Sequence, residues 1–196
     1  MATASQTAHG RTRPRVVTAA AVLHWAIALA FLSIPLIGLV YGADVQAAAE
    51  AETARQGQDP GVLAEHGLAF DETGAALWAP VSIAALVAAV GATVLAGKRF
   101  GRVLSWIFLP LVLIGNGLIM ASNAAAADTV QTLFDESGDP ALQSLDAGAL
   151  LDAAYSAYPG WLPAVESARF AIVTLGCLVA VVLLALRPAR THFRKA

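Results

Sequence analysis

Hydrophobic and polar residues fall along this chain in long blocks. Four blocks carry few or no ionisable side chains: residues 16–42, 75–97, 103–127 and 161–186. At 1.5 Å per helical residue each is long enough to cross a bilayer core of ~30 Å. The pattern predicts an all-α fold of four transmembrane helices in two hairpins. Between the blocks lie a basic tail (1–15), an acidic loop (43–74), a basic turn (98–102), a second acidic loop (128–160) and a basic tail (187–196).

The two acidic loops hold shorter patterns. Ala43 to Gln56, rich in Ala and Glu, predicts that the first helix continues past the bilayer. Gln58-Asp59-Pro60-Gly61 and Ser137-Gly138-Asp139-Pro140 read as turns. Val62 to Phe70 and Leu142 to Tyr155 have the spacing of short amphipathic helices, so the loops together predict a small extracytoplasmic helical cap. Tyr41, Trp78, Tyr155, Tyr158 and Trp161 sit where the chain leaves or enters the apolar blocks, as interfacial anchors do. Ala84, Ala88, Ala92 and Ala96 recur every fourth position and predict a smooth stripe for close helix packing.

Charge gives these elements an orientation. Only 13% of the 196 residues are charged and 58% are hydrophobic, with a mean hydropathy of +0.66, far from the quarter charged of a soluble domain. All 14 acids lie between Asp44 and Glu166. The bases, Arg55 and Arg169 apart, cluster at Arg11, Arg13 and Arg15, at Lys98, Arg99 and Arg102, and at Arg187, Arg190, Arg194 and Lys195. With four spans, all three clusters fall on one face. Basic residues are retained in the cytoplasm, so both termini are expected there, in a multi-pass protein of the cell membrane. The first apolar block is far longer than the ~7–15 residues of a signal-peptide core, which predicts an uncleaved helix.

Few residues offer chemistry. Cys177 is the one cysteine, which excludes an intrachain disulfide and a CxxC centre. No phosphate-cradling, dinucleotide-binding, HExxH or GxSxG motif occurs, so no catalytic residue, cofactor or metal ligand is assigned. Four polar residues in or beside the apolar blocks are the candidate sites. His24 is the only histidine within a block; a bis-histidine haem needs a second at similar depth, so packing or hydrogen bonding is favoured over a ligand or proton relay. Asn116 stands between Gly115 and Gly117, where glue between helices is favoured over a substrate contact. Glu166 and Arg169 are three apart on one helical face, and an outer-interface position with Arg169 snorkelling is favoured over a buried functional pair. Glu65-His66 with Asp71-Glu72, and Asp135, Glu136 and Asp139, lack recognised metal spacings and read as solvated turn residues.

Several local features coincide in Arg13-Pro14-Arg15 leading into Thr18-Ala19-Ala20 and Leu23-His24-Trp25, in Gly101-Arg102 before Trp106, and in the Leu183-to-Leu186 run ending at Arg187-Pro188. In these the chain resembles a group of actinobacterial four-helix membrane proteins of unknown function, apart from its long acidic loops. The resemblance implies a source and a scaffold, and no activity.

The pattern as a whole predicts a non-enzymatic accessory or scaffold protein that binds a larger envelope or respiratory membrane complex. The alternative is a small oligomeric transporter or channel with an acidic outer vestibule. Expected partners are membrane lipids and either another membrane protein or further copies of the chain, with no nucleic acid.

Overall fold

The computed structural model describes residues 13–71 and 74–194; most of the first basic tail, Glu72 and Lys195 lie outside them. Among the described residues the chain is all helical, with elements α1 (Arg15–Arg55), α2 (Gly61–Glu65), α3 (Gly74–Leu95), α4 (Arg99–Ala124), α5 (Ala126–Glu136), α6 (Pro140–Gln143), α7 (Ala147–Ser156), α8 (Leu162–Ala185) and α9 (Arg187–Arg194). Four of these, α1, α3, α4 and α8, are long and apolar enough to cross a membrane, the signature of a membrane protein. They pack in cyclic order, α1 against α3 and α8, and α4 against the same two.

Helix α1 runs 41 residues without a break, through Pro35. At about 61 Å it is twice the thickness of a bilayer core, so its last turns stand clear of the other long helices. It ends where Gly57 takes φ +85°, with Gly57 N bonded to Ala54 O and Gln58 N to Thr53 O. Gly97, at φ +73°, ends α3 in the same way through Val94 O and Thr93 O. Both are Schellman caps, which need a left-handed residue and so favour glycine. The α3–α4 connection is thereby cut to three residues, and α4 starts at Arg99, ahead of its apolar block.

Three hydrophobic clusters stack along the molecule. The middle one joins Ile27, Phe31, Ala84, Val87, Leu109 and Val173. At the basic end Val17, Val90, Val94 and Leu184 close around Ala189 and Phe193 of α9. The segment expected as a basic tail is thus an amphipathic helix docked beneath the bundle by two residues four apart. At the acidic end Val45 and Ala49 of α1 meet Leu63, Phe134, Leu145 and Leu150. The acidic loops therefore form a packed module with its own core.

Two sequence expectations change in detail. Leu142 to Tyr155 divides into α6 and α7, because the Asp139 and Asp146 side chains cap separate helices through Ala141 N and Ala149 N. The alanine stripe of α3 meets its neighbours only in its first half: Ala84 is buried and Ala88 half-buried, whereas Ala92 and Ala96 are exposed. At 3.6 residues per turn an every-fourth pattern drifts about 40° per step, and Val87, Val90, Gly91 and Val94 follow the true contact face instead.

Candidate functional site

The four candidate residues occupy three separate levels and form no single constellation. His24 lies towards the basic end and is fully buried. Its Nδ1 is 2.7 Å from Ala20 O and therefore carries a proton, while Nε2 is 3.0 Å from Ser105 Oγ on α4. Ser105 Oγ also bonds Gly101 O at 2.8 Å, so one hydroxyl lies between two partners. Glycines make the approach possible. A Cβ on Gly91 would sit 2.8 Å from His24 Cβ, and a Cβ on Gly101 would sit 2.7 Å from the α3 backbone. His24 and Ser105 thus join α1 to α4 across the bundle axis, with Nε2 and Gly101 O sharing the one hydroxyl proton of Ser105.

Asn116, at 2% exposure, sits in the middle of α4. Its Nδ2 is buried with no hydrogen-bond partner, as is Thr174 Oγ1 on α8. A Cβ added to either flanking glycine, Gly115 or Gly117, would meet nothing within 4 Å, so their smooth faces are open rather than filled by this chain. An unpaired amide in an apolar setting is costly.

Glu166 and Arg169 line a cleft of about 880 Å³ between α1, α4 and α8, roofed by α5 and α7. Glu166 Oε2 accepts a 2.9 Å bond from Tyr155 Oη, and burial followed by this carboxylate pushes the Tyr155 phenol up. Arg169 Nη1 is buried without a partner, and no ion pair joins the two residues despite their spacing. Beside the cleft Tyr41 makes edge contacts with Tyr158 and Trp161 at ring separations of 6.3 and 6.1 Å, and Tyr158 with Tyr155, which gathers four of the interfacial aromatics into one cluster apart from the exposed Trp78.

The cap is held by contacts that residue spacing does not announce. Gln56 accepts from Asp146 N at 2.7 Å, and Gln131 accepts from Ala147 N at 2.9 Å. Gln58 donates to Ser144 Oγ at 2.8 Å, and Gln46 accepts from Phe70 N at 2.9 Å. His66 Nε2 lies 2.8 Å from Asp139 Oδ2, tying the first loop to the second. The Ala141 amide, then His66, hold the Asp139 carboxyl below its ordinary value. Glu52 takes two 2.6 Å bonds from Arg55 and one of 2.9 Å from Gln56, and these keep its carboxyl low as well. Among the described residues no three His, Cys, Asp or Glu side chains gather as a metal site.

Comparison of the chain with protein-family models, curated proteins and solved structures returned no match.

Proposed function

We propose that the protein is a non-enzymatic accessory subunit of a larger assembly in the cell membrane. Both termini are cytoplasmic, and the cap faces outward as the docking platform. The observation that carries this reading is the build of the cap, a packed module standing on the uninterrupted α1 and fastened by side-chain bonds between the loops. Ordering residues in this way is costly in entropy, and a fixed surface reduces the further cost of binding. Across residues 43–74 and 128–160 the sequence has 13 carboxylates and one arginine, so the partner's complementary surface is basic. The positive-inside rule supports the orientation, since Arg13, Arg15, Lys98, Arg99, Arg102, Arg187, Arg190 and Arg194 lie at the opposite end from the cap.

The test replaces exposed Asp59, Glu65, Asp135 and Glu136 with lysine and compares co-purification in mild detergent. A specific membrane partner should be retained by the native chain at low salt, be released at high salt, and be missing from the lysine variant. Identical partners on both proteins, at every salt concentration, contradict the proposal.

A second reading rests on the unpaired Asn116 Nδ2 and the open glycine faces beside it. In it, copies of the chain associate along α4 and Asn116 lines a path from an acidic vestibule. Asn116→Leu should then abolish solute flux in vesicles; under the first reading the same change alters helix packing alone.

A further inference from the structure

At the basic end, a crevice of about 440 Å³ is lined by Arg99, Arg102, Arg194, Trp106 and Phe193, with Val103 and Ile107 completing it. Two of its guanidinium groups are fixed by backbone carbonyls. Arg99 donates through Nε to Phe193 O at 2.8 Å and through Nη2 to Arg194 O, and Arg102 donates through Nε to Leu184 O at 3.1 Å. Arg102 also lies over the Trp106 ring at 5.5 Å. The carbonyls belong to the last turns of α8 and α9, where helix dipoles favour cations. They position the positive charges without neutralising them. Among the described residues no carboxylate side chain lies nearby: every acid in the sequence falls between Asp44 and Glu166, and the Glu52–Arg55 and His66–Asp139 pairs are in the cap. Three arginines therefore line one concavity without a carboxylate partner among the described residues.

A second feature lies beside the crevice. Val103, Ile107, Leu111, Ile114 and Leu118 of α4 are all exposed. Their spacing of four, four, three and four places them on one face, a stripe about 22 Å long that begins in the crevice. A cationic pocket that opens onto an apolar track matches a molecule with an anionic head and hydrocarbon chains.

We propose that the crevice binds the headgroup of an anionic phospholipid in the leaflet at the basic end. The phosphate sits among Arg99, Arg102 and Arg194, and the acyl chains lie along the α4 stripe. Guanidinium forks suit phosphate oxygens, and basic pockets between membrane helices select anionic headgroups. A free phosphate would engage the arginines and leave the stripe unused. This site is independent of what docks on the cap and of the face on which the basic end lies.

The experiment uses the full chain with Trp25, Trp78 and Trp161 changed to Phe, reconstituted in phosphatidylcholine vesicles, so that Trp106 is the sole reporter. Brominated phosphatidylglycerol should quench Trp106 at a roughly tenfold lower mole fraction than brominated phosphatidylcholine. Arg194→Gln combined with Arg102→Gln should reduce that preference to about twofold or less, and Arg190→Gln, exposed on α9 and outside the lining, should leave it unchanged. Native mass spectrometry of the otherwise wild-type chain, counting retained phosphatidylglycerol against phosphatidylcholine with and without the single change Arg194→Gln, tests the same claim without the tryptophan replacements. Equal quenching and equal retention of the two lipids overturn the proposal, as does an undiminished preference in the double variant. Displacement of phosphatidylglycerol by an equal concentration of glycerol 3-phosphate also overturns it, since the site would then be one for soluble anions.

Discussion

Three glycines of α4 allow the same substitution to be made in opposite environments. Gly101 lies where α4 crosses α3, and an alanine Cβ there would fall 2.4 Å from Thr93 Oγ1 and 2.7 Å from both Thr93 C and Val94 N. The backbone contacts are roughly 0.7 Å inside the 3.4 Å of ordinary contact, and backbone cannot rotate away as a side chain can. Helix α4 must move outward, carrying Ser105 away from His24. Overpacking of this kind costs about 1–3 kcal/mol, against which alanine returns up to ~1 kcal/mol of helix propensity. Gly115→Ala and Gly117→Ala meet open space and keep only the favourable term. The two classes should differ by about 2 kcal/mol, or roughly 4–8 °C in midpoint for a chain of this size. Thermal unfolding of the three variants in one mild detergent, followed by loss of the monodisperse peak, measures it. Gly101→Ala melting with or above the Gly115→Ala protein would refute the close crossing, and with it the packing that seats His24.

Other consequences follow from single contacts. Phe193→Ala empties the pocket that anchors α9, a loss of about 3–5 kcal/mol for a buried phenylalanine, so limited trypsin digestion should cut after Arg190 far sooner than in wild type. Gln56→Leu removes its bonds to Asp146 and to Glu52, and about 1–3 kcal/mol of protection from hydrogen exchange should be lost across 140–156 while α3 and α4 exchange as before. Asp139 and Glu52 have folded pKa values below their unfolded ones. Their contribution is present above the ordinary carboxylate range and is lost as pH falls through the lowered values. The near-ultraviolet circular dichroism of the tyrosines should therefore change on acidification below about pH 4, with a smaller change in Asp139→Asn; an identical acid response in that variant would remove Asp139 as a cause.

The block pattern of the chain determined the four long helices, because a segment crossing hydrocarbon must be apolar over its whole length and satisfy its backbone internally. It also determined which charges share an end, and the continuation of α1 beyond the apolar block. The tertiary structure decided what those helices face. An apolar residue that faces lipid reads like one that faces another helix, so the drift of the alanine stripe and the true α3 contact through Val87, Gly91 and Val94 were hidden. So was the role of Gly101, which follows from how near Thr93 lies. Glutamines have no periodicity to betray a partner, and Gln56 meets Asp146 90 residues away only once both loops have folded. The docking of α9 and the convergence of Arg99, Arg102 and Arg194 had the same origin: residues distant along the chain came together because Ala189 and Phe193 found a hydrophobic pocket beneath the bundle. Composition can separate apolar surface from polar surface, but only packing decides which apolar surfaces meet and which charges are left without a partner.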